Sequence, residues 1–212
     1  MISDKNRKIA ITGAFSALVV VMYITGLGYI RINPQISYTI LQVPVILATI
    51  LGGLVPGLIT GFVFGLTSLI KSAVMPLSML DPYFLNPLCS IFPRLMIALV
   101  TWLVFTGMNK ISHMPKTISG IFAAVLGSLT NTIMVFAMLC LIYFSEIAPI
   151  VQKAGANYPS LANAAYIAIL LTFAPAALVE GAISGAVSGA VLTSMGIASH
   201  GKAKLNKESD EE

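Results

Sequence analysis

Lys71, Asp81, Asn86 and Arg94 place an ammonium, a carboxylate, a carboxamide and a guanidinium within one segment of a chain that is otherwise mostly apolar. An ammonium and a guanidinium held inward can desolvate and grip an anion, with an amide to orient it. Arg94 follows Pro93 at the expected start of a helix, where two parallel N–H bonds can hold a carboxylate. Each cation also has a simpler use. Lys71, ending the run GLITGFVFGLTSLIK, can lay its stem along the helix and send its ammonium to lipid headgroups. Arg94 can anchor at the interface or pair with Asp81.

Two further polar residues fall inside long apolar runs, Asn131 and Glu180. An ionisable group at membrane depth is costly unless it faces a cavity or a partner. Glu180 can contact a ligand, pair with Lys71 or Arg94, or stay protonated in a helix core. Asn131 can bond across helices or reach a ligand.

Catalysis finds no support. H-E-x-x-H and G-x-S-x-G are both missing, and His113 and His200 lie in polar stretches at helix ends. Cys89 and Cys140 have no second Cys, His or acid at ligand spacing, so a disulfide framework or a metal site has no basis, and both read as structural. No G-x-x-x-x-G-K-[ST] occurs, so any ATP would be bound by other subunits, and no resident cofactor is expected. No nucleic-acid partner is expected either.

The elements that must position these groups are membrane helices. Of 212 residues, 57% are hydrophobic and 9% charged, and the mean hydropathy is +0.92, too little polar surface for a soluble globule. Six segments are apolar enough to read as spans: 9–28, 38–53, 55–71, 90–108, 117–145 and 164–196. The expected fold is an all-α integral membrane protein, a compact bundle of six transmembrane helices over residues 1–198, followed by a polar tail, 199–212, that frays into solvent. With both termini cytoplasmic, the inner ends hold Lys5, Arg7, Lys8, Lys110, Lys116, Lys202, Lys204 and Lys207, against Arg31, Lys71, Arg94 and Lys153 outside. That asymmetry favours this orientation. Lys71 to Arg94 then lie at the outer face with the loops around Arg31 and 146–163.

Small residues recur every fourth position: Gly53, Gly57, Gly61 and Gly65 in the third segment, and Gly181, Gly185 and Gly189 in the sixth. Such rows let helix backbones approach closely. In the first segment Ala10, Gly13, Ala14 and Ala17 form a similar patch near the cytoplasmic end, suited to bundle packing or to docking another membrane protein.

These residues resemble the substrate-binding S components of energy-coupling factor (ECF) transporters, vitamin-uptake systems of prokaryotes. The resemblance rests on the six-helix plan, on Ala10-x-x-x-Ala14, on Gly57, Gly61 and Gly65 leading to Lys71, and on Asn86-Pro87 followed by Ser90, Pro93 and Arg94. It implies a vitamin captured from outside by the outer halves of helices four to six and the loops after helices one and three. It also implies partners: a membrane T subunit touching the Ala10/Ala14 face, two cytoplasmic ATPases, surrounding membrane lipid, and an S component that topples to present its pocket inward. GLTSLIKSAVMP resembles the pantothenate-type branch most closely. The Lys71 and Arg94 pair suits a carboxylated ligand whose hydroxyl and amide groups could engage Asn86, Asn131 or Tyr38, with Glu180 nearby. Riboflavin, pyridoxine or folate are the alternatives, riboflavin lowered by the lack of an acid in Ser37–Pro44. A stand-alone proton-coupled transporter using Glu180 is the competing class.

Overall fold

The computed structural model describes residues 3–31, 37–74, 81–111, 115–154 and 165–210. Helix α1, Asp4–Ile24, starts after Ser3 with Asp4 in its first turn, where a carboxylate favours the helix dipole. Only Val19 on α1 is buried, while Ile9, Leu18, Val21 and Ile24 face outward. The helix therefore lies at the edge of the bundle. Gly26, at φ +72°, turns the chain in a conformation that side chains disfavour. Strand β1, Tyr29–Arg31, then pairs antiparallel with β2, Ser37–Thr39, in the register Tyr29 to Thr39, Ile30 to Tyr38 and Arg31 to Ser37.

That ribbon departs from the all-α expectation and shortens the second expected span. Residues 37–39 belong to β2, and helix α2 covers only Gln42–Gly52. At 1.5 Å per residue it reaches about 16 Å, roughly half the hydrocarbon thickness. The described residues hold five helices long and apolar enough to cross a membrane, with α2 as a shorter sixth. Its position explains its composition: every residue from Leu41 to Ile50 is buried, and Leu41, Val45, Ile46 and Ile50 join Val19, Phe64, Ile97, Ala98 and Ala124 in the main core. A helix apolar all round is a central one.

Gly53, at φ +94°, ends α2 and lets α3, Leu54–Val74, start at the next residue. The glycine row of α3 faces inward. A Cβ on Gly57 would strike the Thr49 side chain, one on Gly61 would come 2.6 Å from the Arg94 carbonyl oxygen, and one on Gly65 would come 2.7 Å from Ile91 Cα. A 3-10 turn, Asp81–Leu85, leads into the short helix α4, Pro87–Ser90, and then α5, Phe92–Ile111.

Helix α6, Lys116–Ala154, leaves helical geometry at Tyr143, with φ −126° and ψ 27°. Its apolar span closes there. Helix α7, Ala165–Asp210, contains Pro175 and runs on through most of the polar tail expected after residue 198. Gly185 and Gly189 meet Ile121, and Gly181 and Gly185 meet Val125, at 2.9–3.6 Å from a Cβ placed on them. A second cluster gathers Cys89 and Leu139 with Tyr83, Phe84, Phe136, Cys140 and Tyr143. Both cysteines are free thiols in apolar surroundings.

Candidate functional site

Asn86 and Pro87 set the local geometry from which Arg94 projects. Asn86 is the N-cap of α4, its Oδ1 accepting from Leu88 N–H at 3.0 Å, and Pro87 fills the first helical position, where a missing N–H costs nothing. The Asn86 amide also donates to Tyr143 Oη at 3.4 Å. Ser90 Oγ donates to the Gly65 carbonyl at 2.9 Å, tying the end of α4 to the glycine face of α3.

Arg94, one turn further, is only 6% exposed. It donates through Nη1 to the Cys89 carbonyl at 3.1 Å and through Nη2 to Ser68 Oγ at 3.3 Å. Its guanidinium lies 5.1 Å from the Phe64 ring centre and 5.2 Å from that of Phe84. Two aromatic faces offset part of the desolvation of a buried cation. Lys71 follows Ser68 by nearly one turn of α3, half-buried. The two cations expected from the sequence thus share one end of α3.

The second polar group centres on a residue the sequence reading did not single out. Gln42, fully buried at the start of α2, donates through Nε2 to Ser128 Oγ at 2.7 Å and to Glu180 Oε2 at 3.4 Å. Its Oε1 accepts from Asn131 Nδ2 at 3.3 Å. Glu180 accepts in addition from Thr39 N–H at 2.7 Å and from Thr132 Oγ1 at 3.3 Å. Its carboxyl group is therefore held by neutral donors from β2, α2 and α6. Asn131 and Glu180, expected as separate polar points, meet through Gln42. Tyr38 lies beside this group in β2, opposite Ile30, with its side chain outside the described residues.

One acceptor in the network has no hydrogen-bond partner: Asn131 Oδ1, on a residue 5% exposed. A buried carbonyl left so costs about 1–3 kcal/mol, which an O–H or N–H donor would remove. The residues thus combine a cationic end, suited to a carboxylate, with an amide and carboxyl end suited to hydroxyl or amide groups. An aromatic pair adjoins Asn86. The Tyr83 and Tyr143 rings meet tilted at 51° with centroids 5.0 Å apart, and burial, followed by the charge and hydrogen bond of Glu146, pushes the Tyr83 phenol above its ordinary value.

The missed partners are Thr39, Gln42, Ser68, Ser128 and Thr132. Gln42 had a signal, a carboxamide opening an otherwise apolar run, but it belongs to the segment read for its lack of acids. The hydroxyl residues had none, because Ser and Thr are ordinary inside membrane helices.

Over residues 7–192 the sequence matches the family described as ECF transporter, substrate-specific component. A search of curated proteins finds no match to this chain.

Proposed function

From its membership of the family of ECF transporter substrate-specific components, we propose that this chain captures pantothenate, a small carboxylated vitamin, from the outer face of the cell membrane. It has no catalytic task of its own, and delivers its ligand when docked, through the Ala10/Gly13/Ala14/Ala17 face, on a T subunit and two ATPases that bind ATP. Both termini are cytoplasmic in this reading, and the bundle topples to turn its pocket inward. The family membership supports a small-molecule substrate and ECF partners; the choice of ligand is ours. Arg94 and Lys71 take the carboxylate, and Asn131, Glu180, Asn86 and Tyr38 serve the hydroxyls and amide. The observation that carries the choice is the presence together of a buried guanidinium, close to the Phe64 and Phe84 rings, and the buried acceptor of Asn131 that has no hydrogen-bond partner.

The test is to purify the protein from cells grown in rich medium, denature it, and identify the released small molecules by mass spectrometry. Pantothenate near one equivalent is the expected result. Another vitamin at that level would replace the ligand and leave the binding subunit intact. Uptake by the purified chain alone in liposomes, driven by a proton gradient, would overturn the binding-subunit reading in favour of a proton carrier at Glu180.

A further inference from the structure

At the end of the bundle remote from Arg94 a cavity of about 220 Å³ opens between the start of α1 and the turn joining α2 to α3. Its walls are Asp4, Arg7, Lys8 and Ile11 on one side and Leu51, Gly52 and Gly53 on the other. Arg7 Nη2 reaches the Leu51 carbonyl oxygen at 3.4 Å, a long bond that leaves most of the guanidinium fork directed elsewhere. At Gly53 nothing lies within 4 Å of where a Cβ would stand, so a ligand atom can approach the backbone there. Gly53 also makes the turn possible through its positive φ.

We propose that this cavity binds the headgroup of an anionic glycerophospholipid, with the phosphate on Arg7 and Lys8. Three observations point there. The ionised groups in the wall, two cations and one carboxylate, sum to a single positive charge, matching a phosphate diester monoanion. Asp4 and the Leu51 carbonyl are acceptors in the same wall, suited to headgroup hydroxyls. Ile11 forms its apolar side, and two turns further along the same side of α1 stands Leu18, 42% exposed. An acyl chain leaving the cavity along α1 meets Leu18. Basic residues at the end of a span are drawn to anionic lipid in any case; the cavity turns that general attraction into a site with a shape.

The Ala10 and Ala14 patch starts within one turn of Arg7 and Lys8. A bound lipid therefore borders the face assigned above to the T subunit. The site itself does not depend on that assignment.

The test uses the whole protein in nanodiscs of phosphatidylglycerol and phosphatidylcholine, followed by detergent extraction and native mass spectrometry. The wild type should retain one phosphatidylglycerol in preference to phosphatidylcholine. Arg7→Gln with Lys8→Gln should lower that retention about thirtyfold, two charges at about 1 kcal/mol each converted at 1.4 kcal/mol per tenfold. Lys110→Gln, at the end of α5, should leave retention unchanged. Equal retention by the double variant would overturn the proposal, as would equal retention of phosphatidylcholine. Displacement of the lipid by millimolar inorganic phosphate would assign the cavity to a soluble anion and overturn the lipid assignment. Ligand binding at the Arg94 end, measured on the same double variant, should stay at the wild-type value, separating failure here from failure of the transport reading.

Discussion

Gln42 spends one carboxamide on three partners, and replacing it measures how far the inner site depends on it. In Gln42→Leu the volume stays close, but Glu180 loses a donor, and the Asn131 amide and Ser128 hydroxyl lose their Gln42 partner. Buried polar groups left so cost about 1–3 kcal/mol each, so a destabilisation of about 2–4 kcal/mol is expected, read as a lower midpoint of thermal unfolding in detergent. An unchanged midpoint would mean that Gln42 does not hold the network. Arg94 poses a different question because two of its bonds go to neutral groups, the Cys89 carbonyl and the Ser68 hydroxyl. Arg94→Lys keeps the charge but gives up the planar fork and its stacking on Phe64 and Phe84. Affinity for a carboxylated ligand should fall about thirtyfold, the loss of one charge-assisted hydrogen bond of about 2 kcal/mol. Calorimetric titration would check it, and an unaltered Kd would remove Arg94 from the carboxylate. At this scale the sequence pointed to Arg94, Asn131 and Glu180 as groups that need a partner, since a polar side chain in an apolar run is costly without one, and all three are buried with hydrogen-bond partners. Asn86 was legible only as polar. Its capping of α4 follows from the Asn-Pro order, but its bond to Tyr143 depends on a break in α6 that no local pattern announces.

The glycine row of α3 turns residue size into helix position. Because the Arg94 carbonyl sits where a Cβ of residue 61 would go, Gly61→Ala must push the start of α5 away and carry the guanidinium with it. Backbone cannot yield as a flexible side chain can, so the cost should be about 1–3 kcal/mol, with ligand affinity falling alongside stability. Gly13→Ala is the matching control. Nothing lies within 4 Å of a Cβ there, and alanine favours a helix by up to about 1 kcal/mol over glycine, so its unfolding midpoint should hold or rise. Equal effects of the two variants would contradict the close approach of α3 to α5. Here the sequence was informative about contact and poor about length. Glycine spacing exposed the packing face, whereas the shortness of α2 did not appear in its hydropathy, since a buried half-length helix is as apolar as a span. The β1–β2 ribbon escaped because three-residue strands with side chains such as Tyr, Ile and Thr look like the flank of any apolar helix.

Across the whole molecule, α1 is the least buried of the five long apolar helices. Val19 is its one buried residue, and Ala10, Gly13, Ala14 and Ala17 are all exposed at spacings of three and four that align them on one side. A helix whose smallest residues face outward gives up apolar contact unless something else comes close, and small residues are what a second membrane helix needs for close approach. Enlarging them should therefore leave the isolated protein as it is. In Ala10→Leu with Ala14→Leu, the unfolding midpoint and ligand affinity should match the wild type, because the added atoms meet no internal neighbour. Reconstituted with its T subunit and ATPases, the variant should lose at least about tenfold in ATP-driven uptake, the effect of weakening one helix contact by about 1.4 kcal/mol. Full uptake would show that α1 is not the docking element. Loss of both affinity and uptake would show that α1 supports the ligand site through the ribbon that follows it, a role its sparse burial argues against.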